Sequence, residues 1–562
     1  MEPYDTGRAP GITEGPRMEA SIMENPRDRS PRRGALSRRQ LLGTSLALGG
    51  GLAGLEALGA GRLVLPAARA AAQPKPGGTL IAAQEVDPVS LDPHTNSNFS
   101  AVQGYEHIYE SLTGYDEKTS IVPALAQKWE IQNGGKTYLF HLRPNVKFHN
   151  GQTMTAEDVK YSIDRVLDPK TASPWRSWFD SIQEVKIVDP LTIQITLKDA
   201  YPGLLGSFAG MRASGIMPKG LAERENLKIK AIGTGPFKLV EFVPQDHITY
   251  ARHTDYWDKP LPYLNGMTFK ILTEENARLA ALRAGQIQYA AVTAQGEAQL
   301  KGAPGIGVLK SPNAWVSLHY INVSQKPLND ARVRRAMRMA VDTNEVIQKA
   351  VYGAGVPSGP VPTGYGDWYL DPKLLPYNKP DVEGAKKLLA EAGYPNGGFK
   401  IEIKCSPQYP EFVATTLIVQ NSLKKLGIDV QVVQQEWGTF VSDHATELKT
   451  GGKEGGEIFA SANTFRPDPD GYIYPYFHSA GTINDGGYRN AKLDPLMQQA
   501  RSIFNHDQRR SLYVEIQRTL LDDSPNWWWY AKFNIEAVSS KLQGYTQSFT
   551  GRRIFLKKAW LG

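Results

Sequence analysis

The chain of 562 residues contains a single cysteine, Cys405. One thiol excludes a disulfide framework and the paired-cysteine motifs of metal and redox sites. Motifs of several enzyme classes are missing as well, since there is no Gly-x-Ser-x-Gly elbow and no His-Glu-x-x-His zinc motif. The ten histidines are scattered singly. We therefore expect no resident metal, no cofactor and no catalytic site of these classes.

Loops that bind phosphate or calcium are also missing. The glycine run 233–235 is followed by Pro236, which removes a backbone donor, and no Gly-Lys-Ser/Thr follows it. Residues 468–471 read Asp-Pro-Asp-Gly, but Arg466 and Phe477 stand where a calcium loop needs its first and last ligands. We interpret the first run as a turn before a strand and the second as a rigid turn at a cleft. The sequence therefore predicts no ATPase site in this chain.

Neither charge sign dominates the chain. The whole sequence carries a formal charge of +7, and the part after residue 72 holds 54 basic and 50 acidic side chains. Such a mixed surface is not that of a nucleic-acid-binding protein.

One apolar stretch stands apart, at residues 41–60, directly behind the pair Arg38-Arg39 and ahead of the alanine-rich run 68–72. This layout predicts a twin-arginine signal peptide at 37–72, cleaved after Ala70 or Ala72, behind a disordered extension at 1–36. The alternative is a cytoplasmic protein with a basic tail. Since no cysteine directly follows the predicted cleavage site, we expect a product that is free in the periplasm without a lipid anchor.

The most informative stretch of the chain is 137–169. Thr137 to Leu142 alternates apolar and polar residues, as a half-buried strand does. Thr155 stands three residues before Asp158, which predicts a capping box that opens a helix.

Other patterns predict a mixed α/β protein with at least two sheets. Residues 400–405, 411–426 and 428–434 read as a βαβ unit with parallel strands, and Cys405 falls in its first strand as a core residue. Residues 315–322 alternate as a strand, and 328–350 predicts one long helix.

Aromatic residues are abundant, with 11 Trp and 25 Tyr. They suit a large solute cleft with flat apolar walls. Core packing is the alternative, which we favour for two of the three tryptophans in 527–529. For Trp437, just after a βαβ strand, both interpretations stay open.

Several scattered segments resemble family 5 of the bacterial extracytoplasmic solute-binding proteins, which serve ABC importers. They are the block LRPNVKFHNGQTMTAEDVKYSIDRV, the GTGPF run at 233–237 with the later Tyr256-Trp257, the helix start at 328–336 before Ala340-Val341-Asp342, and the acidic turn at 466–470. The resemblance runs from about residue 77 to the C-terminus.

The resemblance implies a two-lobed, hinged α/β binding protein with mixed sheets. Lobe I would comprise 73–110, 231–313 and 531–562, with a subdomain at 111–230 inserted in it, and lobe II would be 314–530. The implied function is the periplasmic substrate-binding component of an ABC importer, which is a monomer and not an enzyme. Its partners would be a peptide or a peptide-like or anionic small solute, the membrane permease and ATPase subunits, and the twin-arginine export machinery.

Two other functions remain open. One is an exported, hydrolase-like enzyme whose site is assembled only in three dimensions. The other keeps the fold but makes the cargo a metal chelate or haem.

The resemblance also locates candidate ligand-binding residues. Dipeptide-binding relatives hold the peptide amine with an aspartate before the acidic turn, and this chain has no acid at 463–466. In place of the arginine that grips the peptide carboxylate, the loop 406–410 offers glutamine and tyrosine. We therefore expect a cargo other than a dipeptide held at both ends, and we expect Arg466 to bind an anionic group unless it pairs internally with an acid of the turn. The candidate residues are Phe99, Trp315, Gln408, Tyr409, Trp437, Asn463, Phe465, Arg466, Asp468 and Asp470.

Overall fold

The computed structural model describes residues 73–96, 98–374, 379–450 and 457–562. The predicted extension and signal peptide lie outside the described residues. The strands are β1 (Thr79–Gln84), β2 (Thr113–Tyr115), β3 (Ile121–Pro123), β4 (Ala126–Gln132), β5 (Thr137–Leu142), β6 (Ile182–Asp189), β7 (Thr192–Leu197), β8 (Phe237–Val243), β9 (His247–Arg252), β10 (Gly266–Ile271), β11 (Tyr289–Ala291), β12 (Ile306–Ile321), β13 (Gly355–Pro357), β14 (Lys400–Cys405), β15 (Asp429–Gln434), β16 (Glu457–Asn463), β17 (Asn526–Ser539), β18 (Leu542–Gln543) and β19 (Trp560–Leu561).

The α-helices alternate with these strands along much of the chain. They are α1 (Phe99–Tyr105), α2 (Ala156–Leu167), α3 (Leu204–Ala209), α4 (Leu221–Arg224), α5 (Glu275–Arg283), α6 (Ala294–Leu300), α7 (Ala331–Met339), α8 (Thr343–Ala350), α9 (Val382–Glu391), α10 (Pro410–Lys424), α11 (Trp437–Thr450), α12 (Asp470–Phe477), α13 (Leu493–Ser502) and α14 (His506–Asp523). Among the described residues, no helix combines the length and the apolar character that crossing a bilayer requires.

One mixed sheet runs through both lobes, in the order β15-β14-β16-β12-β17-β11-β1-β10-β9-β8, with β13 also paired to β17. The long antiparallel strands β12 and β17 join its two halves, and their register shifts between Pro312 and Val316. Such irregularities bend a strand pair locally. The fold class predicted from the sequence is confirmed. The predicted lobe boundaries fall inside β12 and β17 and stay a prediction.

A separate four-stranded sheet, β4-β5-β7-β6, belongs to the inserted segment. The predicted strand Thr137 to Leu142 is β5, and the predicted helix is α2. The capping box is present, because the backbone N–H of Thr155 donates to Asp158 Oδ2 at 2.8 Å and the Thr155 hydroxyl accepts from the backbone of Glu157 at 3.3 Å. Local sequence was sufficient to place this unit.

The predicted βαβ unit is confirmed as well. Strands β14 and β15 are parallel neighbours, joined by α10. Gly427 has a φ of +74°, a left-handed conformation that favours glycine. Cys405 is fully buried, as a core residue should be.

Two predictions about local structure were wrong. The region 328–350 is not one helix, because α7 ends at Met339 and Asp342 caps a new helix, α8, by accepting from the backbone N–H of Asn344 and Glu345. All three of Trp527, Trp528 and Trp529 are buried, rather than two of them. Their strand is covered on both faces: Trp527 and Trp529 pack in one core cluster and Trp528 in another.

Candidate functional site

A cavity of about 500 Å³ lies where the two halves of the main sheet meet, and we call it the cleft. One side comes from the chain after β1, from α1 and from β11. The other side comes from the β14–α10 and β15–α11 connections and from the end of β16. Strands β12 and β17 contribute where they cross between the halves.

Aromatic rings form much of the lobe II wall. Trp315 stacks on Phe412 with ring centroids 6.3 Å apart and planes inclined by 7°. Tyr409 contacts Phe412 at 5.2 Å and Trp437 at 4.8 Å. Tyr409 and Trp437 follow β14 and β15, and since those strands are parallel, their carboxyl ends meet at one edge of the sheet. This edge therefore presents a continuous apolar surface to the cleft.

Four of the residues that the sequence singled out line the cleft, namely Phe99, Trp315, Tyr409 and Trp437. Gln408 does not line it and is exposed. Asn463 is buried behind the wall, where its side-chain oxygen accepts from the Tyr320 hydroxyl at 2.5 Å. The ligand-binding role of these residues stays a prediction.

The charged side chains of the cleft differ in their partners. Lys532 Nζ lies 3.1 Å from Glu411 Oε1, so these two charges offset each other. Glu536 is buried and accepts from the hydroxyls of Tyr289 at 2.9 Å and Tyr545 at 3.0 Å. Burial raises the pKa of Glu536 to about 7, although these hydrogen bonds oppose the shift.

Glu85, the fourth charged group, is different. Its Oε2 atom is buried and has no hydrogen-bond partner among the described residues. Glu85 as a whole is half-buried and follows β1 directly, at the carboxyl end of that strand. Sequence reasoning missed Glu85, Tyr289 and Glu536. The sequence pattern around these residues was only weakly indicative of a site: Glu85 comes just after a predicted strand, and Glu536 lies inside a largely apolar strand.

Arg466 lies outside the lining of the cleft and borders a second cavity of about 310 Å³. Its Nη2 donates to the Tyr476 hydroxyl at 2.7 Å and its Nη1 to the Thr464 hydroxyl at 3.2 Å. Thr464 itself lines the cleft, so Arg466 contacts the cleft wall from behind. The predicted alternative, an ion pair between Arg466 and an acid of the turn, is wrong because those acids have other partners.

The acids of the turn are held by arginines of α13 and α14. Asp468 accepts two bonds from Arg509, at 2.7 and 2.6 Å, with both side chains buried. Asp470 lies 3.2 Å from Arg501, and burial raises the pKa of Asp470 to about 6 despite this arginine. Neither acid lines the cleft. The charges of the turn are therefore paired within the protein. No local sequence pattern predicted that Arg501 and Arg509 would be the partners.

The turn also contacts the inserted segment. The Tyr115 hydroxyl donates to the backbone carbonyl of Pro467 at 3.0 Å. Phe465 is buried and packs edge-on against Trp178, with ring centroids 6.1 Å apart. A Cβ atom added at Gly206, in α3, would lie 2.1 Å from the Pro467 oxygen. The turn is thus a packing surface between lobe II and the inserted segment.

A metal centre has no support in the described part of the chain, where no group of three or more His, Cys, Asp or Glu side chains is arranged to hold an ion. The cleft combines aromatic walls with polar and charged side chains, which is the usual composition of a site for an organic solute.

Comparisons with known proteins agree with this geometry. The profile of the bacterial extracellular solute-binding proteins, family 5, matches residues 120–484. Heme-binding protein A of Haemophilus influenzae is 30% identical over 499 residues, which cover 82% of this chain and 87% of that protein. Glutathione-binding protein GsiB of Pectobacterium atrosepticum is 28% identical over 466 residues, covering 81% and 89% respectively. The solved structure of HbpA2 from Haemophilus parasuis superposes with a TM-score of 0.77 at 26% identity, over 86% of this chain and all of that one.

Proposed function

Because this chain belongs to family 5 of the bacterial extracellular solute-binding proteins, we propose that it captures an organic solute in the cleft and delivers it to the permease of an ABC importer. The observation that supports this most is the cavity of about 500 Å³ at the junction of the two sheet halves, with aromatic residues on the lobe II side and hydrogen-bonding groups on the lobe I side. A solute bound there touches both lobes, so binding favours the arrangement in which they enclose it.

We propose a binding protein rather than an enzyme. The charged groups of the cleft are Glu85, Glu411, Lys532 and Glu536 among the described residues, and no histidine, cysteine or serine–base pair accompanies them. Small-angle scattering with and without a stabilising solute is the test. We expect compaction and a higher melting temperature while the solute remains intact, since a solute at a hundred times its dissociation constant adds roughly 2.7 kcal/mol. Turnover of the solute would favour the hydrolase-like alternative.

We further propose that the mature protein is periplasmic and is exported by the twin-arginine route. The support is the pair Arg38-Arg39 before a mildly apolar run. Replacing both arginines with lysine should retain the protein in the cytoplasm. Normal export of that variant would indicate the general secretory route and would leave the binding function untouched.

Haem or another metal chelate is the second candidate cargo, which the name of the Haemophilus influenzae relative favours. Absorbance in the visible range during titration with hemin distinguishes it from a colourless solute. A saturable spectral change at one equivalent would support this candidate, and its absence would leave the colourless organic solute.

A further inference from the structure

We propose that the cleft selects solutes that carry a positively charged group, and that Glu85 is the residue that binds this group. The inference rests on the proposed function and deepens it, because it names the chemical class of the cargo. A protonated amine on an apolar or aromatic body is the ligand that we expect.

The first observation is the balance of charge around the cleft. Of the described residues that line it, three are acids and one is a base. Glu411 is already offset by Lys532 at 3.1 Å. Glu536 has two tyrosine hydroxyls as donors. Of the three, Glu85 is the one with a buried carboxylate oxygen that has no donor among the described residues.

The second observation is what surrounds Glu85. Phe99 and Gln103, from α1, and Trp315, from β12, line the same cavity as Glu85. Aromatic faces attract cations, and the attraction grows when water is excluded. A cation that enters the cleft therefore meets aromatic rings as well as the Glu85 carboxylate, and two of these rings already have a protein cation nearby, Arg212 at 5.8 Å from Phe99 and Lys532 at 5.9 Å from Trp315.

The buried arginines Arg552 and Arg553 form their ion pairs with Glu106 and not with Glu85. Arg552 Nε lies 3.2 Å from Glu106 Oε2, and Arg553 Nε lies 3.6 Å from Glu106 Oε1. Neither arginine lines the cleft. Burial lowers the pKa of the Arg553 guanidinium, but its neighbours Tyr289, Glu106 and Glu85 outweigh burial and raise it. Arg553 therefore lies within electrostatic range of Glu85 without a hydrogen bond to it.

The physical argument concerns the cost of an unpartnered carboxylate. A neutral solute bound against Glu85 would leave the buried Oε2 atom without a donor, which is unfavourable. An ammonium group supplies that donor and forms a charge-assisted hydrogen bond. The cation should therefore bind more tightly than its neutral congener by about ten- to a hundredfold.

This inference differs from the anionic cargo that Arg466 suggested. Arg466 borders the second cavity, whereas the cleft itself has one base, Lys532, among its described lining residues, and that base is paired. An anion in the cleft would face Glu85 and Glu536 without an open cation. The charges that line the cleft thus favour a cationic solute over an anionic one.

The experiment uses probes in matched triplets that share one skeleton and differ in charge. Three skeletons suffice: phenylalanyl-phenylalanine amide with its N-acetyl form and N-acetyl-phenylalanyl-phenylalanine, tryptamine with N-acetyltryptamine and indole-3-propionate, and 4-phenylbutylamine with its acetamide and 5-phenylpentanoate. Dissociation constants are measured by calorimetry on the mature protein and on Glu85→Gln, which keeps the size of the side chain and removes its charge. Glu515→Gln, at an exposed position on α14, is the matched control for loss of one negative charge.

We expect at least one amine to bind about tenfold or more tightly than its acetamide, and Glu85→Gln to abolish this preference while Glu515→Gln keeps it. The inference is overturned if no amine is preferred over its neutral and anionic congeners, or if Glu85→Gln leaves the preference unchanged. Either of these outcomes spares the proposed function, which fails only if no solute, charged or neutral, raises the melting temperature or compacts the protein.

Discussion

The cleft and the acidic turn at 466–470, with the preceding Phe465, both contain residues that were predicted to bind the ligand, yet the two regions use their charges differently. In the turn, Asp468 and Asp470 are buried against Arg509 and Arg501. In the cleft, Glu85 retains an oxygen without a donor. Acidic side chains are thus paired with arginines in one region, whereas in the other an acidic side chain keeps a buried oxygen without a donor.

The difference shows that a charged residue near a cleft is informative only together with its partners. A paired buried acid has its hydrogen-bonding capacity used inside the protein, and removing its partner is costly. An acid that lines a cavity without a donor is available to a ligand. Four substitutions test this comparison, and they follow in order of expected effect.

The largest effect is expected from Asp468→Ala, in the turn. It leaves the buried Arg509 guanidinium without its two-point partner, which should lower the free energy of unfolding by about 3–5 kcal/mol. Urea unfolding followed by circular dichroism measures it. Asp199→Ala is the control, because Asp199 is an exposed partner of Lys136 at 3.2 Å, and it should leave the unfolding midpoint unchanged. Equal midpoints for the two variants would show that the turn is not held by its ion pair.

The second effect is a pH dependence at Glu536, in the cleft. Its pKa is about 7 in the folded protein because of burial, above the ordinary value of a glutamate. The stabilisation that comes from holding this proton is complete below about pH 4.5 and is lost as the pH rises through 7, a change of about 3 kcal/mol. The groups that face Glu536 are Tyr289, Tyr545, Gln547 and Arg553.

Glu536→Gln isolates this dependence from that of other groups. Glutamine stays neutral and its oxygen still accepts from Tyr289, so the variant should gain stability relative to the unsubstituted protein between pH 5 and pH 8. The difference in unfolding free energy between the two proteins is measured at both values. A difference that does not change with pH would mean that Glu536 ionises in the folded state as it does in the unfolded one.

The third effect concerns Arg466, between the two regions. Because its guanidinium donates to Thr464 of the cleft wall but does not line the cleft, we expect Arg466→Ala to weaken solute binding about two- to tenfold, through the position of Thr464 and not through a contact with the solute. Calorimetry with a solute found by thermal-shift screening provides the measurement, and Arg466→Lys tests whether charge alone suffices. An unchanged dissociation constant for Arg466→Ala would show that solute binding does not depend on Arg466, which lies outside the lining of the cleft.

The smallest effect is expected from Gly206→Ala, at the contact between the inserted segment and the turn. The added methyl group meets the Pro467 carbonyl oxygen, whose distance from an ideal Cβ is 2.1 Å, and the backbone has to move apart. We expect a severalfold weaker solute affinity and less compaction in scattering, without any contact to the solute. Gly114→Ala, whose added Cβ meets only the Ala124 methyl group at 3.9 Å, should behave like the unsubstituted protein.

Some parts of the site could be predicted from the sequence, and others became apparent only in the structure. The aromatic wall was predictable because Tyr409 and Trp437 follow the two strands of a βαβ unit that local periodicity identified. Phe465, Asp468 and Asp470 were placed at the site by resemblance, but the structure buries them in the turn. On the lobe I side the sequence singled out Phe99 but missed Glu85, Tyr289 and Glu536, and the Tyr289–Glu536 bond joins residues 247 positions apart.

The sequence by itself determined the elements of this protein, because caps, turns and hydrophobic periodicity act over a few residues. The capping box of α2 and the turn at Gly427 are examples. The sequence motifs also sufficed to identify the family. Only the tertiary structure decided which charges are paired, as with Asp468 and Arg509, 41 residues apart. The physical reason is that the state of a buried charge depends on neighbours brought together by the packing of distant segments, and no local pattern encodes those neighbours.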